Sequence, residues 1–418
     1  MHFSSLPRDI RADAPLWGEI RDLLPGSLAT VRVSMLDDLG QSWTSEASYR
    51  ADWDGAVRLA SSSPADAGWS GLDAYGPYWS MTPEPAEGVP FLPFFDSTTV
   101  SLAPVTTDVA VRVDAEVVAS TQFERIFLRG VTVEEWRDEV IANVFVPHQR
   151  RASGCALVIG GSGGGFSWSN QVAALLAASG KLAASVAYFD WEGVYGLPTA
   201  LEEIPLEFFL HALDRLKSLS GDSDDLAVVG FSKGAEAALI VASARADVKD
   251  VVAIAPTAYV WESARMTRFP ARSSWSRRGD PIPFMIFDAD EAFYESFDKS
   301  LLRLFHERAI EQHSLDDAHI PIERISGRIS LVSSSGDGVW PSTPMCEAIV
   351  RRAAEAGRGR QVGHLCLKGA GHYLFIPGAP VPRDDGTPSA YARGNREWWG
   401  LLRSMLGISG RANRQVTA

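Results

Sequence analysis

Between Leu28 and Asp38 (LATVRVSMLDD) and between Trp43 and Asp52 (WTSEASYRAD), apolar and polar side chains alternate with a period of two. That period turns one face of a strand inward and leaves the other in water. Thr107 to Ser120 and Thr121 to Leu128 continue the habit with β-branched runs, punctuated by Gly, Pro and Asp. With no amphipathic helix between them, these short strands predict an N-terminal antiparallel β-sandwich, immunoglobulin-like, over residues 1–127. Past Gly130 the pattern changes to short, continuously apolar runs that alternate with helical stretches near 170–179, 205–216, 233–244, 345–356 and 398–406. Strands that are apolar on both faces are covered on both faces, so residues 128–410 are expected to fold as a doubly wound, mostly parallel sheet. Residues 411–418 read as a frayed tail.

One of those strand-to-helix junctions carries chemistry. Leu226 to Ala244 reads LAVVGFSKGAEAALIVASA: an apolar run, the pentapeptide Gly230-Phe231-Ser232-Lys233-Gly234, then an alanine-rich helix. This is the layout of a nucleophile elbow with Ser232 at its apex. A sharp turn brings backbone against backbone, so the flanking positions take glycine. Ser232 would stand at a helix N-terminus, where partial positive charge favours a developing anion.

A hydroxyl is a weak nucleophile near neutral pH, so an elbow needs a downstream histidine and a carboxylate to orient it. Of eight histidines, His2, His148 and His211 precede the serine. His306, His313 and His319 lie in a charged, helix-like stretch and read as solvated helix residues, whereas His364 lies in an apolar run and reads as a strand residue. His372 follows Lys368-Gly369-Ala370-Gly371, a glycine-rich turn suited to a mobile catalytic histidine. For the acid, Asp337 follows the strand RISLVSS (328–334) at the end where open parallel sheets bind ligands. Asp288 and Asp290, after PFMIF (283–287), compete with it. An oxyanion hole would take the amide of Lys233 and one from the glycine loop 160–165, for which Gly163 is the candidate. That loop lacks the spacing of a phosphate or dinucleotide fingerprint, and the stretch after it, Asn170 to Ser179, reads as an amphipathic helix.

These segments together resemble the family that joins acyl-CoA thioesterases with bile acid-CoA:amino acid N-acyltransferases. The similarity is carried by GGSGGGF (160–166), GLPTALEEIPLEFF (196–209), GFSKGAE (230–236), SSWSRRGDPIPF (273–284), SGDGVWPS (335–342) and GAGHY (369–373), in that order. The resemblance implies a β-sandwich followed by an α/β-hydrolase domain, and it sets Ser232, Asp337 and His372 on the family's triad positions. Serine at the elbow resembles the thioesterase branch, since the N-acyltransferases typically carry cysteine there. The segment after the histidine, LFIPGAPVPRDDGTPSAY, departs from the commoner Glu-Pro-Pro continuation.

The expected activity is acyl-CoA thioester hydrolysis through a serine acyl-enzyme, on a small-molecule acyl thioester or ester substrate. Transfer to an amino or hydroxyl acceptor, and carboxylesterase or lactonase chemistry, stay open on the residues alone. The 418 residues suit two domains, and a net charge of −13 argues against nucleic acid or an anionic membrane as partner. Arg268, Arg272, Arg277 and Arg278 form a local basic cluster that a CoA phosphate could use, or that water simply solvates. No cofactor or metal is expected. Three scattered cysteines, no signal-peptide core and no run of about 20 apolar residues lead to the expectation of a cytoplasmic protein with reduced thiols. The aromatic stretch Trp69 to Trp79 would either pack between the two domains or line an acyl channel.

Overall fold

The structure is a computed structural model that describes residues 1–38, 40–84, 101–148, 154–166, 168–221, 223–263, 271–287, 301–312, 316–382 and 385–408. Asp288, Asp290, Arg268 and His313 therefore lie outside the described residues, as does the C-terminal tail.

The N-terminal unit is built on four long antiparallel strands, β1 (Leu28–Leu36), β2 (Ser42–Arg50), β3 (Val105–Val113) and β4 (Glu116–Ile126), with β1 between β2 and β3. Alternation decides which side faces in: Ala29, Val31, Val33 and Met35 of β1 are buried while Thr30, Arg32 and Ser34 are not. Ser45 occupies an inward position on β2 and satisfies its hydroxyl by donating to Pro77 O at 2.5 Å. A small second sheet of His2–Phe3, Glu19–Arg21 and Val57–Arg58 closes over this core through Ile20 and Val57. One pairing departs from the antiparallel expectation, because Asp9–Arg11 runs parallel to the end of β4.

The second unit is an eight-stranded sheet. Its strands are β5 (Val131–Arg137), β6 (Ile141–Pro147), β7 (Cys155–Ile159), β8 (Leu182–Val186), β9 (Leu226–Phe231), β10 (Asp250–Ile254), β11 (Arg328–Ser334) and β12 (Val362–Leu367). In space they run β5-β6-β8-β7-β9-β10-β11-β12, parallel from β8 onward and antiparallel at the β5-β6-β8 edge. Successive residues of the central strands face opposite cores. Leu157, Val228 and Val251 pack with helices α2 (Leu206–Leu219), α3 (Lys233–Ala244) and α5 (Ser342–Glu355). Val158, Val229 and Val252 pack with α1 (Ser169–Ala177) and α6 (Pro388–Met405). This two-sided cover is why the strands read as unbroken apolar runs. The short helix α4 (Leu302–Gln312) lies between β10 and β11 in the chain.

One expectation changes. Helix α1 is not amphipathic in its surroundings, since every residue from Ser169 to Ala177 is buried. Two of its polar residues are paired internally, Ser169 with Ser185 at 2.7 Å and Asn170 with Asn143 at 3.1 Å. The aromatic stretch Trp69–Trp79 sends its C-terminal end into the interface between the units. Trp79 belongs to the core that contains Trp168, Phe375 and Trp399. Asp13 receives a hydrogen bond from Trp399 Nε1 at 2.9 Å, and Arg396 reaches Asp73 at 3.0 Å. The packing alternative thus describes this segment.

Candidate active site

Ser232 ends β9 and begins α3 in a backbone conformation that side chains rarely adopt, φ 55° and ψ −122°. The turn survives because its neighbours have no side chains. A Cβ on Gly230 would run into the carbonyl of Gly234, and one on Gly234 into the carbonyls of Ile159 and Gly160. The reward of the strained turn is position: Ser232 Oγ is lifted off the sheet at the N-terminus of α3.

His372 Nε2 is 2.9 Å from Ser232 Oγ, and His372 Nδ1 is 3.0 Å from Asp337 Oδ1. A carboxylate only accepts, so Nδ1 carries the proton and Nε2 offers its lone pair to the serine hydroxyl. All three side chains are nearly closed off from solvent, at 5%, 2% and 1% exposure for Ser232, His372 and Asp337. Burial alone would raise the Asp337 carboxyl. The charge of His372, with hydrogen bonds from His372, Ser342 and the Trp340 amide, outweighs burial and holds the carboxyl below its usual range. Asp337 Oδ1 also accepts from the amides of Val339 at 3.0 Å and Trp340 at 3.2 Å, so its own loop fixes its orientation.

Lys233 does more than follow the serine. Its amide, first in α3, has no acceptor within the helix. Its side chain turns inward to Glu236 Oε2 at 3.0 Å and Ser274 Oγ at 2.8 Å. Glu236 has no exposed surface, and it accepts from the Trp261 amide at 3.0 Å and Trp275 Nε1 at 2.8 Å. Burial pushes Lys233 down and Glu236 up, and in each case the opposite charge holds the group back. The pair ties the elbow helix to the chain between β10 and β11. In the glycine loop, a Cβ added to Gly161 would lie 3.2 Å from Ser232 Cβ, so the loop passes close to the serine.

His306 corrects the reading of a solvated helix. It is 3% exposed, with Trp261 and Phe287 rings at 4.5 Å and Trp340 at 5.6 Å. Nδ1–H donates to Leu302 O at 2.7 Å, and burial drives the imidazole down to about 3, so it is neutral near pH 7. His319 is half-buried against the Tyr259 ring at 4.5 Å. His364 lies in β12, 2.8 Å from Ser333 Oγ, as the apolar run implied. Of the arginine cluster, Arg272 is engaged with Glu202 and Glu203, while Arg277 and Arg278 are exposed. Met285, from the run that would have presented a rival acid, bridges Trp261 and joins no strand of the main sheet.

Sequence reasoning missed Glu236, His306 and Asp385. Glu236 had a signal, as a carboxylate inside an otherwise apolar helix. The other two had none.

An α/β-hydrolase sheet that brings a serine elbow, a histidine and an aspartate together has the layout found in serine hydrolases. The chain belongs to the acyl-CoA thioester hydrolase/BAAT family: its N-terminal region model matches residues 13–137 and its C-terminal model residues 204–394. Among curated relatives, the peroxisomal succinyl-coenzyme A thioesterase of Mus musculus is 28% identical, covering 88% of this chain and 84% of that protein. Acyl-coenzyme A thioesterase 1 of Rattus norvegicus is 25% identical over the same shares. A solved esterase from Pyrococcus furiosus is similar at 12% identity with a TM-score of 0.42, covering 68% of this chain and 93% of that one. The protein is accordingly an enzyme of the hydrolase class, with thioesterases as its relatives.

Proposed function

We propose that the protein hydrolyses acyl-CoA thioesters through a serine acyl-enzyme. The observation that carries this reading is the continuous relay from Asp337 Oδ1 through His372 to Ser232 Oγ, with links of 3.0 and 2.9 Å. His372 takes the serine proton as Oγ attacks the thioester carbonyl. Asp337 keeps the imidazole in the competent tautomer and stabilises its charged form. The amide of Lys233 and one from the glycine loop, Gly163 in this reading, donate to the oxyanion, each worth about 3 kcal/mol of barrier. His372 then protonates the departing thiolate and activates water against the acyl-serine. The substrate class is supported by the family and its thioesterase members rather than by a described pocket.

The test is free-thiol release from a panel of acyl-CoA esters, short to long and branched, with wild type beside Ser232→Ala. Serine-dependent release is expected. No release from any CoA ester, with Ser232 still labelled by a fluorophosphonate, would overturn the thioester reading and leave an ester hydrolase or an acyltransferase.

A further inference from the structure

The loops that carry Asp337 and His372 follow two neighbouring strands, β11 and β12. They meet through backbone bonds at their bases, Ser335 N to Leu367 O at 3.0 Å and Gly336 N to Ala370 O at 3.0 Å. Beyond those bonds a third carboxylate enters. Asp385 Oδ2 accepts from His372 N at 2.8 Å and from Gly338 N at 3.2 Å, so a single oxygen joins the residue after Asp337 to His372 itself. Its other oxygen, Oδ1, accepts from the hydroxyl of Tyr391, which is fully buried at the start of α6. The surrounding glycines make room for the group. A Cβ on Gly371 would collide with Asp385 Oδ1 and the Tyr391 hydroxyl, and one on Gly386 would come within 2.7 Å of Gly371 N. The glycine-rich turn that suggested a mobile histidine is thus packed against a carboxylate and held.

We infer that Asp385 is a positioning residue of this hydrolase, whose carboxylate sets the register of the histidine loop against the acid loop so that His372 meets both Asp337 and Ser232. Asp385 lies in the segment where the sequence departs from the commoner continuation of the family. A hydrogen-bonded carboxylate suits the task because one oxygen accepts two N–H groups from different loops while the other is anchored, which fixes both loops to α6. Hydrogen bonds of this kind are short-range, and a triad misplaced by about 1 Å loses rate by orders of magnitude.

The inference rests on the proposed function only for its substrate, so the primary readout avoids thioesters. The second-order rate of Ser232 labelling by a fluorophosphonate, and kcat and KM on a p-nitrophenyl ester, are measured for wild type, Asp385→Ala, Asp385→Asn and Tyr391→Phe. Asp385→Ala should slow labelling and kcat together by about ten- to a hundredfold with KM little changed. Asp385→Asn, whose carboxamide oxygen can still accept both N–H groups, should recover to within about threefold of wild type. Labelling of folded Asp385→Ala at the wild-type rate would overturn the inference, as would an Asn variant as slow as the Ala variant. Should Asp385→Ala fail to fold, Tyr391→Phe decides, with slowed labelling at an unchanged thermal midpoint for the inference and wild-type labelling against it. Failure of the thioester panel with this pattern intact would count against the substrate and leave the clamp standing.

Discussion

The guanidinium of Arg125 donates to the carbonyl of Gly378 at 2.7 Å, across the interface between the sandwich and the hydrolase sheet. The same nitrogen donates to Ala12 O at 2.6 Å, and the group stands 4.3 Å over the Tyr78 ring. Gly378 lies six residues beyond His372 on a strap that the hydrolase unit holds from its own side. Trp168 Nε1 donates to Leu374 O at 2.9 Å, Trp398 Nε1 donates to Phe375 O at 2.9 Å, and Asn395 Oδ1 accepts from Phe375 N at 3.0 Å. The chain leaving the histidine is therefore gripped by both units.

Arg125→Leu removes a buried cation that pairs with two carbonyls, and should cost about 3 kcal/mol. Loss of kcat should accompany it, because Gly378 anchors the strap that carries His372. Urea unfolding and ester turnover check both effects; full turnover in a folded variant would separate the sandwich from the site.

Asp337→Asn keeps the shape of the acid but loses the charge that holds His372 Nδ1–H, and favours the wrong tautomer. Turnover should fall by about 10³- to 10⁴-fold with little change in stability. Steady-state kinetics on any hydrolysed ester measure it, and a fall of less than tenfold would remove Asp337 from the role assigned here.

Glu236→Ala leaves Lys233 buried beside Ser274 without its counter-charge, at a cost of about 3–5 kcal/mol. Replacing both partners, Lys233→Met with Glu236→Leu, should cost less than the single change, since no charge is then stranded. Chemical denaturation of the single and double variants tests this. A double variant weaker than either single one would mean that the pair contributes net stability.

His306 gives the fold an acid sensitivity. In the unfolded chain it takes up a proton near its ordinary value of 6.5, and in the folded protein only near 3. Between those values the unfolded state binds the extra proton, so stability declines as pH falls, by up to about 1.4 kcal/mol per unit. Asp337, held below its usual range, adds a loss of the same sign at lower pH, as its carboxyl protonates. Urea denaturation at pH 7, 6 and 5 should show a steeper decline for wild type than for His306→Gln. Equal slopes would mean that the buried imidazole takes up its proton without unfolding.

Ser232, His372 and Asp337 were legible in the sequence because each follows a strand whose apolar run is unmistakable, and the fold places the ends of those strands at one edge of a sheet. The elbow glycines carried the same information, since their missing side chains are a local steric requirement. Helix α6 was legible only at its end: read from 398, it begins at Pro388, where Thr387 accepts from the Ala390 amide and caps it. The interior character of α1 was hidden, because the sandwich and α6 cover the side that would otherwise face water.

Periodicity and short motifs act through neighbouring residues, and by themselves they determined the two units, the strand-turn-helix at Ser232 and the order serine, acid, histidine. The burial of His306, the Lys233–Glu236 pair, the strap under Arg125 and the Asp385 clamp were decided by tertiary structure alone. Each depends on which distant segments exclude water from a polar group and which atoms then replace that water. A sequence pattern does not encode that environment locally; the folded chain creates it when Gly338, His372, Asp385 and Tyr391 come together.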